Sequence, residues 1–221
     1  MPENVTIQSG SHRLSGIFDD QGGGMSVIIT HPHPLYGGDM NNPVVSAVDH
    51  AYRQNGYTTL RFNFRGVGGS EGVYTGGPGE QEDVVSAIAY LRDRGFDKPI
   101  LAGYSFGAWV NAHIRQTDAA TGSTLMVAPP VAFMDFESCA SLDNLQWVIT
   151  GDRDDIAPPS MVESWISKWN PHARLELIYG ADHFYNGHLD ELVRRISGNI
   201  GSTTDPFSEN LEGTGEHSAD K

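Results

Sequence analysis

The sequence predicts an α/β fold: a mostly parallel sheet of about eight strands with helices on both faces. Three observations predict it. Short runs rich in Val, Ile and Leu alternate along the chain with segments of helical periodicity. Several of these runs are apolar without a break, as strands covered on both faces require. The polar clusters suited to chemistry each fall just after such a run, at the sheet edge where right-handed crossovers gather the strand ends and where ligands bind.

In chain order, residues 5–8 and 12–18 read as a short antiparallel pair. Residues 25–31 form a buried strand. Asn42 caps a helix whose first turn accepts Pro43, and Gly56 ends it. Residues 57–62 are the next strand. Residues 79–94 are a helix with Val84, Ala87, Ile88 and Leu91 on one face, stopped by Gly95. Then come a strand at 100–104, a helix at 106–116, strands at 123–128 and 145–150, a helix at 159–169, a strand at 175–179 and a helix at 187–196. The segment 129–144 is too short for a multi-helix cap, so a minimal cap or none is expected.

The chain has 221 residues, enough for one domain and short for two. Residues 1–198 are expected to form it. Residues 199–221 are rich in Gly, Ser, Thr, Asp and Glu and read as a disordered acidic tail, with Phe207 and Leu211 its only sizeable apolar side chains near the middle. The formal net charge of −14 argues against nucleic acid and against anionic membranes as partners. No apolar run reaches the ~18 residues of a membrane span. The N-terminus lacks the basic and apolar regions of a secretory signal. A single cysteine, Cys139, excludes an internal disulfide and fits a cytoplasmic setting.

The segment Gly103-Tyr104-Ser105-Phe106-Gly107 has the form Gly-x-Ser-x-Gly between a strand and a helix. A serine there sits on a sharp turn, its hydroxyl lifted from the sheet edge and the helix N-terminus beneath it. Side chains at the two glycines would collide with the strand–helix crossing. Ser105 is therefore the candidate nucleophile. It needs a base, and the base needs an orienting acceptor. His183 follows the last strand. His172 precedes that strand, His188 falls in the next helix and His217 in the tail. For the orienting acid, Asp152, Asp154 and Asp155 compete in the loop after residues 145–150. Asp182 adjoins His183 and reads as structural, because neighbours in sequence point apart.

Backbone donors for an oxyanion are expected from the amide of Phe106 and from the loop His31-Pro32-His33-Pro34-Leu35-Tyr36-Gly37-Gly38. Pro32 and Pro34 have no N–H. His33, Leu35 and Tyr36 remain, and the first two are the better candidates.

Four segments carry a family resemblance: that His-Pro-His-Pro-Leu-Tyr-Gly-Gly loop, the run from Leu60 through Arg65-Gly66-Val67-Gly68-Gly69-Ser70-Glu71-Gly72, the Ser105 pentapeptide, and Gly180-Ala181-Asp182-His183-Phe184-Tyr185-Asn186-Gly187. Together they resemble the small bacterial α/β-hydrolases of the dienelactone-hydrolase-like group, over residues 5–196. The resemblance implies the α/β-hydrolase fold and the chain order Ser, Asp, His. It places the acid three residues past Gly151, at Asp154. It also implies a cofactor-free mechanism. The chain departs from true dienelactone hydrolases in having Ser, not Cys, as nucleophile. Carboxylester hydrolysis on a small acyl substrate is the expected activity. Peptidase or thioesterase chemistry on the same triad is the alternative, with an inactive binding protein on this fold as the reading from another class. Homodimer formation stays open. The glycines at 66–69 lack the Lys-Ser/Thr ending of a phosphate loop, and His31 and His33 have no metal-ligand spacing to a third group. The glycine-rich 65–79 loop and the short 129–144 segment predict an open, shallow, wet site.

Overall fold

A computed structural model describes residues 1–114, 121–139 and 141–202. The strands are β1 (Glu3–Ser9), β2 (His12–Asp19), β3 (Ser26–Thr30), β4 (Thr58–Phe62), β5 (Ile100–Tyr104), β6 (Thr124–Val127), β7 (Leu145–Gly151) and β8 (Arg174–Ile178). The helices are α1 (Pro43–Gln54), α2 (Pro78–Arg92), α3 (Phe106–Ala112), α4 (Pro159–Trp169) and α5 (Leu189–Ser202), with a 3-10 turn at Pro34–Tyr36. The strands form one sheet in the order β1-β2-β4-β3-β5-β6-β7-β8. β1–β2 and β2–β4 pair antiparallel and every other pair is parallel.

The uninterrupted apolar strands are explained by a core on each face. In β3 all five residues are buried. Val27 and Ile29 join α1 and α5 side chains such as Val45, Val48, Leu192 and Ile196, whereas Ile28 joins α2 side chains such as Val84, Ile88 and Leu91 on the other face. Caps are where the sequence put them: Asn42 accepts the Val44 amide, and Gly56 and Gly95 follow α1 and α2 with φ of +79° and +89°.

Two boundaries differ from expectation. α3 ends at Ala112, not residue 116. The His113 ring donates from Nδ1 to the Trp109 carbonyl at 2.8 Å, the acceptor that an α-helix would offer to the His113 amide, and that amide turns to Val110 instead. α5 starts at Leu189 and runs to Ser202, so the expected domain end at 198 falls inside a helix. The expected disorder of the tail, with Phe207 and Leu211, lies outside the described residues beyond 202. Between β6 and β7 the described residues form turns and no helix, so this segment supplies no helical cap among the described residues. Among the described residues, no helix is long and apolar enough to cross a membrane.

Candidate active site

β5 sits at the centre of the sheet, and the chain leaves it through Ser105. Ser105 has φ +53°, a left-handed value that a residue with a side chain adopts only when its surroundings impose it. The glycines supply that imposition. A Cβ on Gly103 would lie 2.5 Å from the Ala108 amide nitrogen, and one on Gly107 would lie 2.5 Å from the Thr30 carbonyl oxygen. The Ser105 amide donates to the Val127 carbonyl at 2.9 Å, which ties the turn to β6.

Three predicted residues from three loops meet there. His183 Nδ1 is 2.9 Å from Asp154 Oδ2, and His183 Nε2 is 3.0 Å from Ser105 Oγ. A carboxylate only accepts, so Nδ1 carries the proton of the neutral ring and Nε2 is left as an acceptor for the serine hydroxyl. The other Asp154 oxygen accepts the amides of Ile156 and Ala157 at 2.8 and 2.7 Å. Asp154 and His183 are buried, and Ser105 is 8% exposed. A serine, a base with its free nitrogen on the hydroxyl, and an anion fixing the tautomer are the parts that nucleophilic acyl transfer requires.

The competing groups lie elsewhere. Asp152 is exposed and accepts the Gly180 amide at 2.5 Å, bracing one loop against the next. Asp155 faces solvent. Asp182 accepts the Phe184 amide at 3.0 Å in a local turn. His172 is exposed in the turn before β8, and His188 bonds to the Asn186 carbonyl just ahead of α5.

Of the two candidate donors in the 31–38 loop, Leu35 is engaged: its amide donates to Nδ1 of the His33 side chain at 3.2 Å. The His33 amide has no such partner among the described residues, and neither does that of Phe106 at the start of α3. Because Nδ1 of His33 accepts, its Nε2 carries the proton and donates to the Tyr74 hydroxyl at 3.0 Å. The His33 ring is packed among Tyr36, Tyr74 and Phe106, at centroid separations of 4.9, 5.1 and 4.9 Å. Burial pulls the His33 pKa below its ordinary value, with Glu80 opposing the shift.

His31 anchors the same loop from below. Its Nε2 accepts the Phe64 amide at 3.0 Å and its Nδ1 donates to the Pro32 carbonyl at 2.7 Å. Both nitrogens are occupied, so neither is offered to a metal. Burial holds the His31 pKa down to about 4. Cys139 lies against the His113 ring with its thiol pushed up to about 12 by burial, an inert setting. The glycine run at 66–69 closes onto the sheet: Ser70 Oγ donates to the Asn63 carbonyl at 2.7 Å and accepts the Ser15 amide at 2.9 Å.

Sequence reasoning missed several supporting groups. Tyr104 donates to the His183 carbonyl at 2.9 Å, Tyr185 to the Ile149 carbonyl at 3.1 Å, and Thr150 to the Ala157 carbonyl at 2.9 Å beside Asp154. Burial raises both tyrosine pKa values and keeps them as neutral donors. Their only sequence signal is that a tyrosine buried in this way needs a partner for its hydroxyl. The rim also departs from the wet surface expected. Leu35, Tyr36, Val73, Phe133 and Phe184, all 62–88% exposed, lie on the loops that follow strands at this edge.

Known structures share this fold. An α/β serine hydrolase homologue from Coxiella burnetii is 34% identical, with 90% of this chain and 97% of that one covered at a TM-score of 0.83. A lidless α/β serine hydrolase from Xanthomonas campestris is 30% identical, covering 90% of this chain and 94% of that one at a TM-score of 0.81. The chain belongs to the α/β serine hydrolases. Among curated proteins, this hydrolase is 33% identical over 180 residues to an uncharacterised protein of Rickettsia prowazekii, covering 77% of this chain and 76% of that one. Residues 21–129 of the hydrolase also match the X-Pro dipeptidyl-peptidase (S15) family. That match takes in Ser105 and stops short of Asp154 and His183.

Proposed function

We propose that this hydrolase cleaves small carboxylic esters through a Ser105 acyl-enzyme, within the dienelactone-hydrolase-like group and without cofactor or metal. The observation that carries the reading is the unbroken hydrogen-bond line from Ser105 Oγ through His183 to Asp154. Ser105 Oγ attacks the ester carbonyl while its proton passes to His183 Nε2. Asp154 holds the imidazole by Nδ1 and stabilises its charged form. The amides of Phe106 and His33 receive the negative oxygen. The intermediate collapses as the carbon–oxygen bond to the alcohol breaks, and His183 returns the proton to the departing oxygen. Water then attacks the acyl carbon, gives its proton to His183 and releases the acid and Ser105. The single, inert thiol suits work in the cytoplasm.

The test is covalent labelling by a fluorophosphonate together with release of p-nitrophenol from p-nitrophenyl acetate. Both are expected in the natural protein and neither in Ser105→Ala. A second reading, peptidase action, draws on the S15 match. Turnover of an aminoacyl-prolyl p-nitroanilide faster than any ester would replace the first reading with it.

A further inference from the structure

Phe184 follows His183 directly, and its ring stands at 85° to the imidazole with centroids 5.6 Å apart. It is 62% exposed. Among the described residues His183 is its one ring neighbour, so the protein core has no need of it. Yet the ring is not on a loose loop. Asp182 accepts the Phe184 amide at 3.0 Å, and Tyr104 holds the His183 carbonyl. Tyr185, the next residue, is fully buried, bonded through its hydroxyl to Ile149, and adopts a left-handed φ of +54°. With buried residues pinned on either side, Phe184 presents a fixed apolar face to solvent beside the base.

Chemistry says what meets that face. When the intermediate collapses, His183 Nε2 gives its proton to the departing alcohol oxygen, which must then lie within about 3 Å of that nitrogen. The group bonded to that oxygen is therefore on the imidazole side of Ser105. The oxyanion and its donors, Phe106 and His33, belong to the other side, with Tyr36 and Tyr74 packed around His33. Phe184, whose ring adjoins the imidazole itself, is an exposed ring on the leaving-group side.

We propose that Phe184 is a specificity residue for the alcohol half of the substrate, and that the leaving alcohol carries a flat apolar ring close to the ester oxygen, packed on Phe184. The inference rests on His183 acting as the acid for an ester. Benzyl acetate and methyl acetate test it, because they share an acyl group and their alcohols are of similar acidity. The natural protein should favour benzyl acetate at least tenfold in kcat/KM. Phe184→Ala should bring that ratio close to one, and Phe184→Leu should leave it between the two. The ratio of methyl butanoate to methyl acetate, which reads the acyl side, should not move in either variant. No benzyl preference in the natural protein, or a benzyl-to-methyl ratio that survives Phe184→Ala, overturns the proposal. Absence of both fluorophosphonate labelling and hydrolysis overturns the ester reading beneath it, whereas labelling with no benzyl preference sinks the Phe184 proposal alone.

Discussion

Leu35 gives its amide proton to the side chain of His33 at 3.2 Å, and that one bond separates the two candidate oxyanion donors. It leaves the His33 amide free and fixes the His33 tautomer, so that Nε2–H reaches Tyr74. Tyr74 thus steadies the residue whose amide we propose as the second oxyanion donor. Removing an oxyanion donor outright costs about 10²–10³ in kcat. Loosening its support should cost less. Tyr74→Phe is expected to lower kcat by about tenfold while KM changes less than about twofold, because the amide acts chiefly on the transition state. Steady-state kinetics on p-nitrophenyl acetate measure both, and an unchanged kcat would show that the His33–Tyr74 bond does not support the donor.

Replacing Ser105 by Ala should abolish fluorophosphonate labelling and leave the fold intact. Alanine inherits the same left-handed backbone, and the turn is imposed by Gly103, Gly107 and the Val127 bond, not by the hydroxyl. Labelling is read on a gel and folding by thermal melting. Retained labelling would move the nucleophile elsewhere.

Asp154→Asn should be far more damaging to turnover than Asp152→Asn. The former gives His183 Nδ1 an amide that can present a donor, and the equivalent change in a comparable triad costs about 10⁴-fold. Asp152 braces Gly180 from an exposed position, so its loss should show mainly in the melting temperature. Similar, small kinetic losses in both variants would place the orienting acid outside this loop.

Stability should fall on the acid side because of His31. Its folded pKa of about 4 lies below the ordinary 6.5. Between these values the unfolded chain binds the proton and the folded chain does not. Stability is therefore full above pH ~6.5 and is lost as pH falls towards 4, by on the order of 3 kcal/mol for this group. His33 and His113, also lowered by burial, act in the same direction. Urea unfolding at pH 7.5, 5.5 and 4.5 reads the slope, and a flat stability across that range would contradict it.

The sequence is most informative where one residue type is the only one that fits. Gly103 and Gly107 mark the elbow because any side chain there meets backbone, and His183 stands out as the histidine that directly follows the last strand. Among three competing aspartates, Asp154 is singled out by the family resemblance, which places the acid three residues past Gly151. His33 and Leu35 stay equivalent in the sequence, because what distinguishes their amides is a side-chain tautomer and a 3-10 turn at Pro34–Tyr36. Tyr74 meets His33 only because β3 and β4 are neighbours in the sheet, a relation between residues 41 positions apart that no periodicity encodes. The early end of α3 likewise depends on one side chain, His113, taking over a backbone carbonyl.

Acyl-chain preference follows from what stands over the site. The described turns between β6 and β7 supply no cap, and the apolar rim residues Leu35, Tyr36, Val73 and Phe133 are exposed on three different loops. Such side chains offer a surface that a short acyl group can touch, but burial of a long chain needs walls around it. In a tunnel each further methylene adds ~0.8 kcal/mol, close to fourfold in kcat/KM. On an open rim that gain should stop after the first few carbons. Across p-nitrophenyl esters, kcat/KM is expected to peak between about two and six acyl carbons and to show no jump when the ester passes its solubility limit. A rise sustained through about twelve carbons would require an enclosed acyl tunnel and would overturn the open-site account.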